Sequence, residues 1–258
     1  MIEITISEYT LFLLVFTRIT GAILFNPFLG RKNIPSAAQM GLSLVIALVI
    51  TPTLPISGPE TGLGIAFIPI LLKELFIGYM IGLTVSFLTT IALTAGEITD
   101  MQIGLGMAKI FDPQSNVSMS MTGSIYNLMV TLVFFGMDGH LTLLRLVGRS
   151  CEVFPPGRIA INPQIGLQMG LLMGTILQLT IKVAMPIIAV ELLLEAGLGV
   201  LMRSVPQINV FVAGIQIRLL VGLIMLVIML PLISGIFGNA VDVIFDRLEE
   251  GMILMLGS

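Results

Sequence analysis

Tryptophan is missing from this chain, and cysteine and histidine occur once each. A single thiol, Cys151, excludes an intrachain disulfide and any metal site built from cysteines. The lone His140, in the turn-like Asp138-Gly139-His140, excludes a multi-histidine metal centre and reads as a structural hydrogen-bonding residue. Charge is nearly as scarce. Only 10% of residues are Asp, Glu, Lys or Arg, against about 25% in an average globular protein. A net charge of −3 without any Lys/Arg cluster gives nucleic acid nothing to bind. Neither a G-x-S-x-G elbow nor an H-E-x-x-H helix occurs. Gly104-Leu-Gly106-Met-Ala-Lys109 lacks the third glycine and the preceding strand of a phosphate loop. The expectation is a non-enzymatic protein with no cofactor and no metal.

What is plentiful is apolar. Hydrophobic residues make up 56% of the 258, and mean hydropathy is +1.08. That is the composition of an integral membrane protein with an all-α fold. About six hydrophobic segments reach or exceed the ~17–25 residues of a bilayer crossing. The basic residues Lys32, Arg149 and Arg158 fall on loops that simple alternation would put on opposite sides, so charge leaves the orientation open. The acidic start, with Glu3 and Glu8, is unlike a cleaved signal and is expected to be retained.

In chain order, Tyr9 to Gly30 is apolar around Arg18, and Gly30-Arg31-Lys32-Asn33-Ile34-Pro35 is a basic connector. Ser36 is placed to cap a helix that Thr51-Pro52 stops. A longer apolar stretch from Ile65 to Ala95 carries Lys73-Glu74 and Gly78-x-x-x-Gly82, a spacing that lets helix backbones approach closely. Asp112-Pro113 reads as a helix start. A polar segment with Arg145, Arg149, Glu152 and Arg158 around Pro155-Pro156-Gly157 marks the best division into halves. Beyond it, Gln164 to Ile181 stacks Gly166, Gly170 and Gly174 on one face, and a further helix is expected to break at Pro186 and close near Arg203. Val210 to Ile236 is the last long helix, and Asp242 to Glu250 reads as a charged, solvated tail.

One stretch stands apart. Ala95 to Val117 lies between long apolar runs yet holds Glu97, Asp100, Gln102, Lys109 and Asp112. From Met101 to Met107 apolar residues alternate with Gln102, Gly104 and Gly106. The two glycines weaken a helix by about 1 kcal/mol each relative to alanine, and thioethers repack readily. The segment is either a plain connection between helices or one that closes a space and later yields.

Charges inside the apolar helices pose a cost of roughly 2.5–3.5 kcal/mol each at the bilayer centre. Arg18, Lys73, Glu74, Glu191, Glu195 and Arg218 are therefore expected to face protein, an aqueous cavity or one another. With Glu97, Asp100, Arg203 and Asn209 they are read as buried polar groups at subunit interfaces. Glu191 and Glu195 share a face at i,i+4 and repel unless a cation or protons intervene, with Arg203 or Arg218 the natural partner. A second reading makes these carboxylates the coupling-ion site of a secondary transporter for a small solute, which would work alone in liposomes.

The runs KELFIGYMIG, AGEITDMQIGLGMAKIFDPQSN, GMDGH and AMPIIAVELLLEAGLGVLMRSVPQINVF resemble the FliR family of flagellar type III export-gate proteins. The most specific parts are Phe111-Asp-Pro-Gln-Ser115 and Arg203-x-x-Pro-Gln-x-Asn-x-Phe211. Ser36-Ala-Ala-Gln39 lacks a basic residue that members often carry there. The resemblance implies a membrane-associated bundle of helical hairpins, with residues 1–163 FliP-like and 164–258 a FliQ-like hairpin. It implies one copy of the chain in a closed helical assembly with FliP-like and FliQ-like subunits, in the bacterial inner membrane at the flagellar basal body. An FlhB-like protein would wrap the entrance, and unfolded flagellar proteins would pass through the middle. The family's plug loop maps onto 104–117. Met101, Gly104, Leu105, Gly106, Met107, Phe111 and Pro113 are then the residues of the constriction.

Overall fold

The computed structural model describes residues 6–31, 33–55, 64–106, 120–157, 164–204 and 210–254. Every regular element among them is helical. The order is α1 (Ile6–Leu24), α2 (Ser36–Ile50) with a short 3-10 turn (Thr51–Thr53), α3 (Phe67–Ile103), α4 (Met121–Gly136), α5 (Gly139–Val153), α6 (Gln164–Ser204) and α7 (Val210–Leu254). Five helices among the described residues, α1, α2, α3, α6 and α7, are long and apolar enough to cross a membrane, and α4 with α5 makes a sixth span if the two count as one. This is an all-α membrane protein.

Contacts sort the chain into two compact units, Met1–Phe87 with Asp138–Leu172 and Asp242–Ser258, and Leu88–Met137 with Met173–Val241. In the first, α1 meets the start of α3 almost backbone to backbone. A Cβ added to Gly78 would stand 2.1 Å from the Arg18 carbonyl oxygen, and one on Gly21 would stand 2.8 Å from that of Leu75. The Gly78-x-x-x-Gly82 spacing thus does the close packing expected of it. Leu14, Val15, Ile19, Ala22 and Ile23 fill the contact from α1. Burial of each larger side chain is worth about 1.5–3 kcal/mol.

That close approach creates a socket for Arg18, which is fully buried. Its Nε and Nη2 each lie 2.7 Å from Glu74 Oε2. Nη1 donates to the Ser150 carbonyl at 2.6 Å and Nη2 to that of Phe154 at 2.9 Å. Glu74 Oε1 accepts from the Gly157 N–H at 2.8 Å. One guanidinium therefore ties α1 to α3 and satisfies carbonyls at the C-terminal end of α5, where a cation is favoured. The adjacent Lys73 is exposed.

Helix α2 is patterned inside out. Gln39, Ser43 and Ala47, one turn apart, are buried, whereas Met40, Leu44, Val45, Leu48 and Val49 are exposed. Its side-chain cap at Ser36 is not made; Pro35 stands at the N-cap position instead.

Three departures from the sequence reading have physical causes. Pro186 does not break a helix, because α6 runs on through it from Gln164 to Ser204, and Pro231 likewise sits inside α7. A proline removes one hydrogen bond of the ladder. Packed turns on both sides, with Val183, Ala184 and Ile187 buried, carry the helix past the gap. The segment around Arg145 and Arg149 is an amphipathic helix, α5, burying Leu143, Leu146, Val147, Ser150 and Cys151. The charged tail is also helical: Asp242, Asp246, Arg247 and Glu250 are exposed while Ile244, Phe245, Leu248 and Met252 are buried. Arg149 pairs there with Glu249.

Removing one member of the Arg18 socket strands the other in a dry interior, which costs about 3–5 kcal/mol. Glu74→Ala should therefore lower the unfolding temperature of the detergent-solubilised protein far more than Lys73→Ala. The pair replacement Arg18→Met with Glu74→Leu should recover much of the loss.

Candidate functional site

The polar stretch opens as helix. Residues 95–103 complete the last turns of α3, so Met101 and Gln102 belong to the helix and not to the connection. The two glycines that weaken a helix lie just beyond this end of α3. Gly104 adopts φ 93°, and its N–H donates to the Asp100 carbonyl at 3.1 Å. That is the left-handed glycine cap, which only a residue without Cβ adopts at little cost.

The carboxylate of Asp100 joins this end of α3 to the start of α4. Its Oδ2 accepts from the Ser120 hydroxyl at 2.6 Å and its Oδ1 from the Thr122 N–H at 3.2 Å. Ser120 is in turn the N-cap of α4, accepting from the Gly123 N–H at 2.8 Å. Asp100, Ser120 and Thr122 are all buried. Buried charge-assisted bonds of this kind contribute about 1.5–3 kcal/mol each. Below them the helices touch at glycine: a Cβ on Gly96 would lie 2.2 Å from Gly123 Cα.

A third tie comes from α6 and α7. Ile103 is wholly buried against Ile187 and Leu226, with Leu105, Leu219 and Leu230 around it. The seat exists because Gly222 has no side chain; a Cβ there would stand 2.5 Å from Ile103 Cγ1 and 2.9 Å from Glu191 Oε1. Glu191 is itself buried, and neither carboxylate oxygen has a hydrogen-bond partner. Arg218 supplies the compensating charge, with Nε 3.8 Å from Glu191 Oε2 and Nη2 3.2 Å from Glu195 Oε1. It is the cation the i,i+4 glutamates require.

Of the residues singled out from the sequence, Asp100, Gly104 and Leu105 meet at this junction, and Glu191, Glu195 and Arg218 form the ion-pair cluster beside the Ile103 seat. Gly106 follows, half-buried, and Met101 points outward with 72% exposure. Glu97 and Arg203 are exposed. Met107, Phe111, Pro113, Asn209, Lys109 and the helix start at Asp112-Pro113 lie outside the described residues. Among the described residues Gly166, Gly170 and Gly174 meet nothing within 4 Å, so none of these supplies the close packing expected of them. Ser120, Thr122, Gly96, Gly123, Ile103 and Gly222 are parts of the junction that the sequence reading missed. Only Ser120, three residues before Gly123, offered a signal, as an N-cap ahead of an apolar run. Among the described residues no group of three or more His, Cys, Asp or Glu is placed to hold a metal ion. The end of α3 and the start of α4 are thus held at three places, by the Asp100 carboxylate, the Gly96/Gly123 contact and the Ile103 seat.

Comparison with known proteins adds a lineage. Residues 9–244 match the family described as bacterial export proteins, family 1. The flagellar biosynthetic protein FliR of Pectobacterium carotovorum subsp. carotovorum is 31% identical, over 91% of this chain and 90% of its own. FliR of Escherichia coli K12 is 28% identical over 97% of both chains. The surface presentation of antigens protein SpaR of Salmonella typhimurium LT2 is 26% identical over 79% of this chain and 76% of its own.

The glycine contact under the junction yields a direct test. Gly96→Ala forces α3 away from α4, since backbone atoms cannot yield as a flexible side chain does. Overpacking of this sort costs typically about 1–3 kcal/mol. Thermal unfolding in detergent should show the loss for Gly96→Ala and none for Gly136→Ala, whose added methyl meets open space.

Proposed function

The chain belongs to the FliR family of flagellar export proteins, and from that premise we propose that it is a non-enzymatic core subunit of the type III export gate. As a family member it is a component of the flagellar type III export apparatus. The finer reading places it in the bacterial inner membrane at the flagellar basal body. One copy assembles there with FliP-like and FliQ-like subunits, residues 1–163 taking the FliP-like part and 164–258 the FliQ-like hairpin. An FlhB-like protein sits at the entrance, and unfolded flagellar proteins are the cargo. The stretch 104–117 seals the passage at rest, its glycines bending and its thioethers closing on one another.

The observation that carries this reading is the pinned junction at Asp100, Gly104 and Ser120. A seal must be fixed at its ends and free to change shape between them, and these ends are held by a buried carboxylate, a glycine contact and the Ile103 seat. Assembly with other subunits draws support from the exposed apolar faces. Only 22% of the Gly166–Leu201 window and 17% of the Gly214–Met252 window are buried within the chain. At 1.5 Å per residue, α7 is about 68 Å long, more than twice the ~30 Å of hydrocarbon in a bilayer. Lipid covers no more than part of such a helix, and sister subunits cover the rest.

Deleting residues 104–117 should make the otherwise assembled complex conduct ions at rest, read as current across a planar bilayer. Unchanged conductance would remove the sealing role. Gly104→Val puts a β-branched side chain at a positive φ, a strain of about 1–2 kcal/mol, and should impair export of flagellar subunits while the particle still assembles. Mass measurement of the detergent-extracted particle should find FliP-like and FliQ-like partners with a single copy of this chain. A monomer that moves a small solute unaided in liposomes would point to the transporter reading instead.

A further inference from the structure

One basic side chain of α6 has no counterpart. Lys182 is exposed, and none of the ion pairs among the described residues includes it. The other charges of the apolar Gly166–Leu201 window, Glu191 and Glu195, are answered by Arg218. Lys182 stands near the middle of that 36-residue window. At 1.5 Å per residue the nearer end is about 24 Å away, too far for a four-carbon stem to carry its ammonium there. Apart from Gln178, its neighbours on the exposed face are apolar in both directions, Leu177 and Ile181 before it, Met185, Leu192 and Leu193 after it. A bilayer boundary drawn at Lys182 would leave one of these apolar halves in water. A bilayer drawn across it would set the ammonium against hydrocarbon, where charged side chains stand only when paired or turned to a cavity. The backbone at this position is polar as well. Residue 186 is proline, which has no N–H to donate to the carbonyl four residues earlier, that of Lys182. An ammonium and a carbonyl short of its helical donor thus share one level of an otherwise apolar face. Neighbouring helices are what satisfy such groups in a membrane.

We infer that this face of α6 receives an apolar helix of another subunit, and that this helix carries an Asp or Glu at the level of Lys182. The inference rests on the assembly proposed above and deepens it by naming the chemistry of one contact. Charge complementarity selects the occupant: an ammonium set among apolar side chains calls for a carboxylate brought in by an equally apolar helix. An anionic lipid headgroup would meet the ammonium but leave the leucines on its aqueous side uncovered. A protein helix covers both halves of the face and supplies the counter-charge between them.

The test uses the complete complex, with Lys182 replaced in turn by arginine, methionine and glutamate. The amount of each chain in the membrane is measured beside its retention in the detergent-extracted particle. Lys182→Arg keeps the cation and should keep wild-type retention. Lys182→Met and Lys182→Glu strand the partner's carboxylate, and retention should fall about thirtyfold or more, with the amount in the membrane unchanged. A Lys182→Met particle as stable as the wild type overturns the inference, since the ammonium then faces headgroups or water. Loss on Lys182→Arg, or retention of Lys182→Glu, overturns it too, because the need would not be for positive charge. Should a variant fail to accumulate, the wild-type particle decides. A membrane-permeant carbodiimide should join Lys182 Nζ to the facing carboxylate as an amide, seen by mass spectrometry as a peptide linked to another subunit. No such link, or a link to an acid of this same chain, overturns the inference. Failure of the gate reading is distinct: a wild-type chain recovered as a monomer removes the assembly and this contact with it, whereas a wild-type particle indifferent to Lys182→Met removes the contact alone.

Discussion

A carboxylate taken out of water needs donors aimed at it, and two such groups organise this chain. Glu74 is met by Arg18 and by the Gly157 N–H, and Asp100 by Ser120 and Thr122. Around Glu74 the first, third and fifth helices converge on one guanidinium. Around Asp100 the end of α3 and the start of α4 converge on one carboxylate. Both networks lie beside glycine contacts, at Gly21/Gly78 and at Gly96/Gly123, that let the backbones come near enough for short side chains to reach. Close approach and polar satisfaction depend on each other. Glu191 is the exception, balanced in charge by Arg218 yet without a hydrogen bond to either oxygen.

The distribution of apolar surface follows from the same logic reversed. Helices that hide small or polar residues against the chain, as α2 hides Gln39, Ser43 and Ala47, turn their large side chains outward. Water is a poor neighbour for such a face, and lipid or protein a good one. The scarcity of charge seen in the composition is thus the signature of a chain whose outer faces are built to be covered.

Much of the helical architecture was legible in the residues, since long apolar runs with few charges have one inexpensive backbone state in a membrane. Gly78-x-x-x-Gly82 marked a face for close helix approach without naming its partner, and Glu191 with Glu195 called for a cation or protons, with Arg203 or Arg218 as the candidates. Other features were hidden because they depend on what packs nearby. Pro186 reads as a break, and only buried turns on both sides show why α6 continues through it. The amphipathic α5 was masked by its arginines, although Leu143, Leu146, Val147 and Ser150 keep helical spacing. At the junction, Asp100 was visible as a polar residue in apolar surroundings. Its partner stands twenty residues on, across a stretch whose geometry no local pattern fixes. Gly96 and Gly123 gave no sign of meeting, because neither belongs to a repeated spacing.

The α3–α4 junction is local in the chain, whereas the Arg18 socket is not. Asp100 and Ser120 are separated by 20 residues, Arg18 and Ser150 by 132. Loop closure over a short span costs less entropy and happens sooner. As the polypeptide leaves the ribosome, the hairpin is able to lock before the seventh helix has been synthesised. The Ile103 seat, which needs both later helices, is then added to a junction already made.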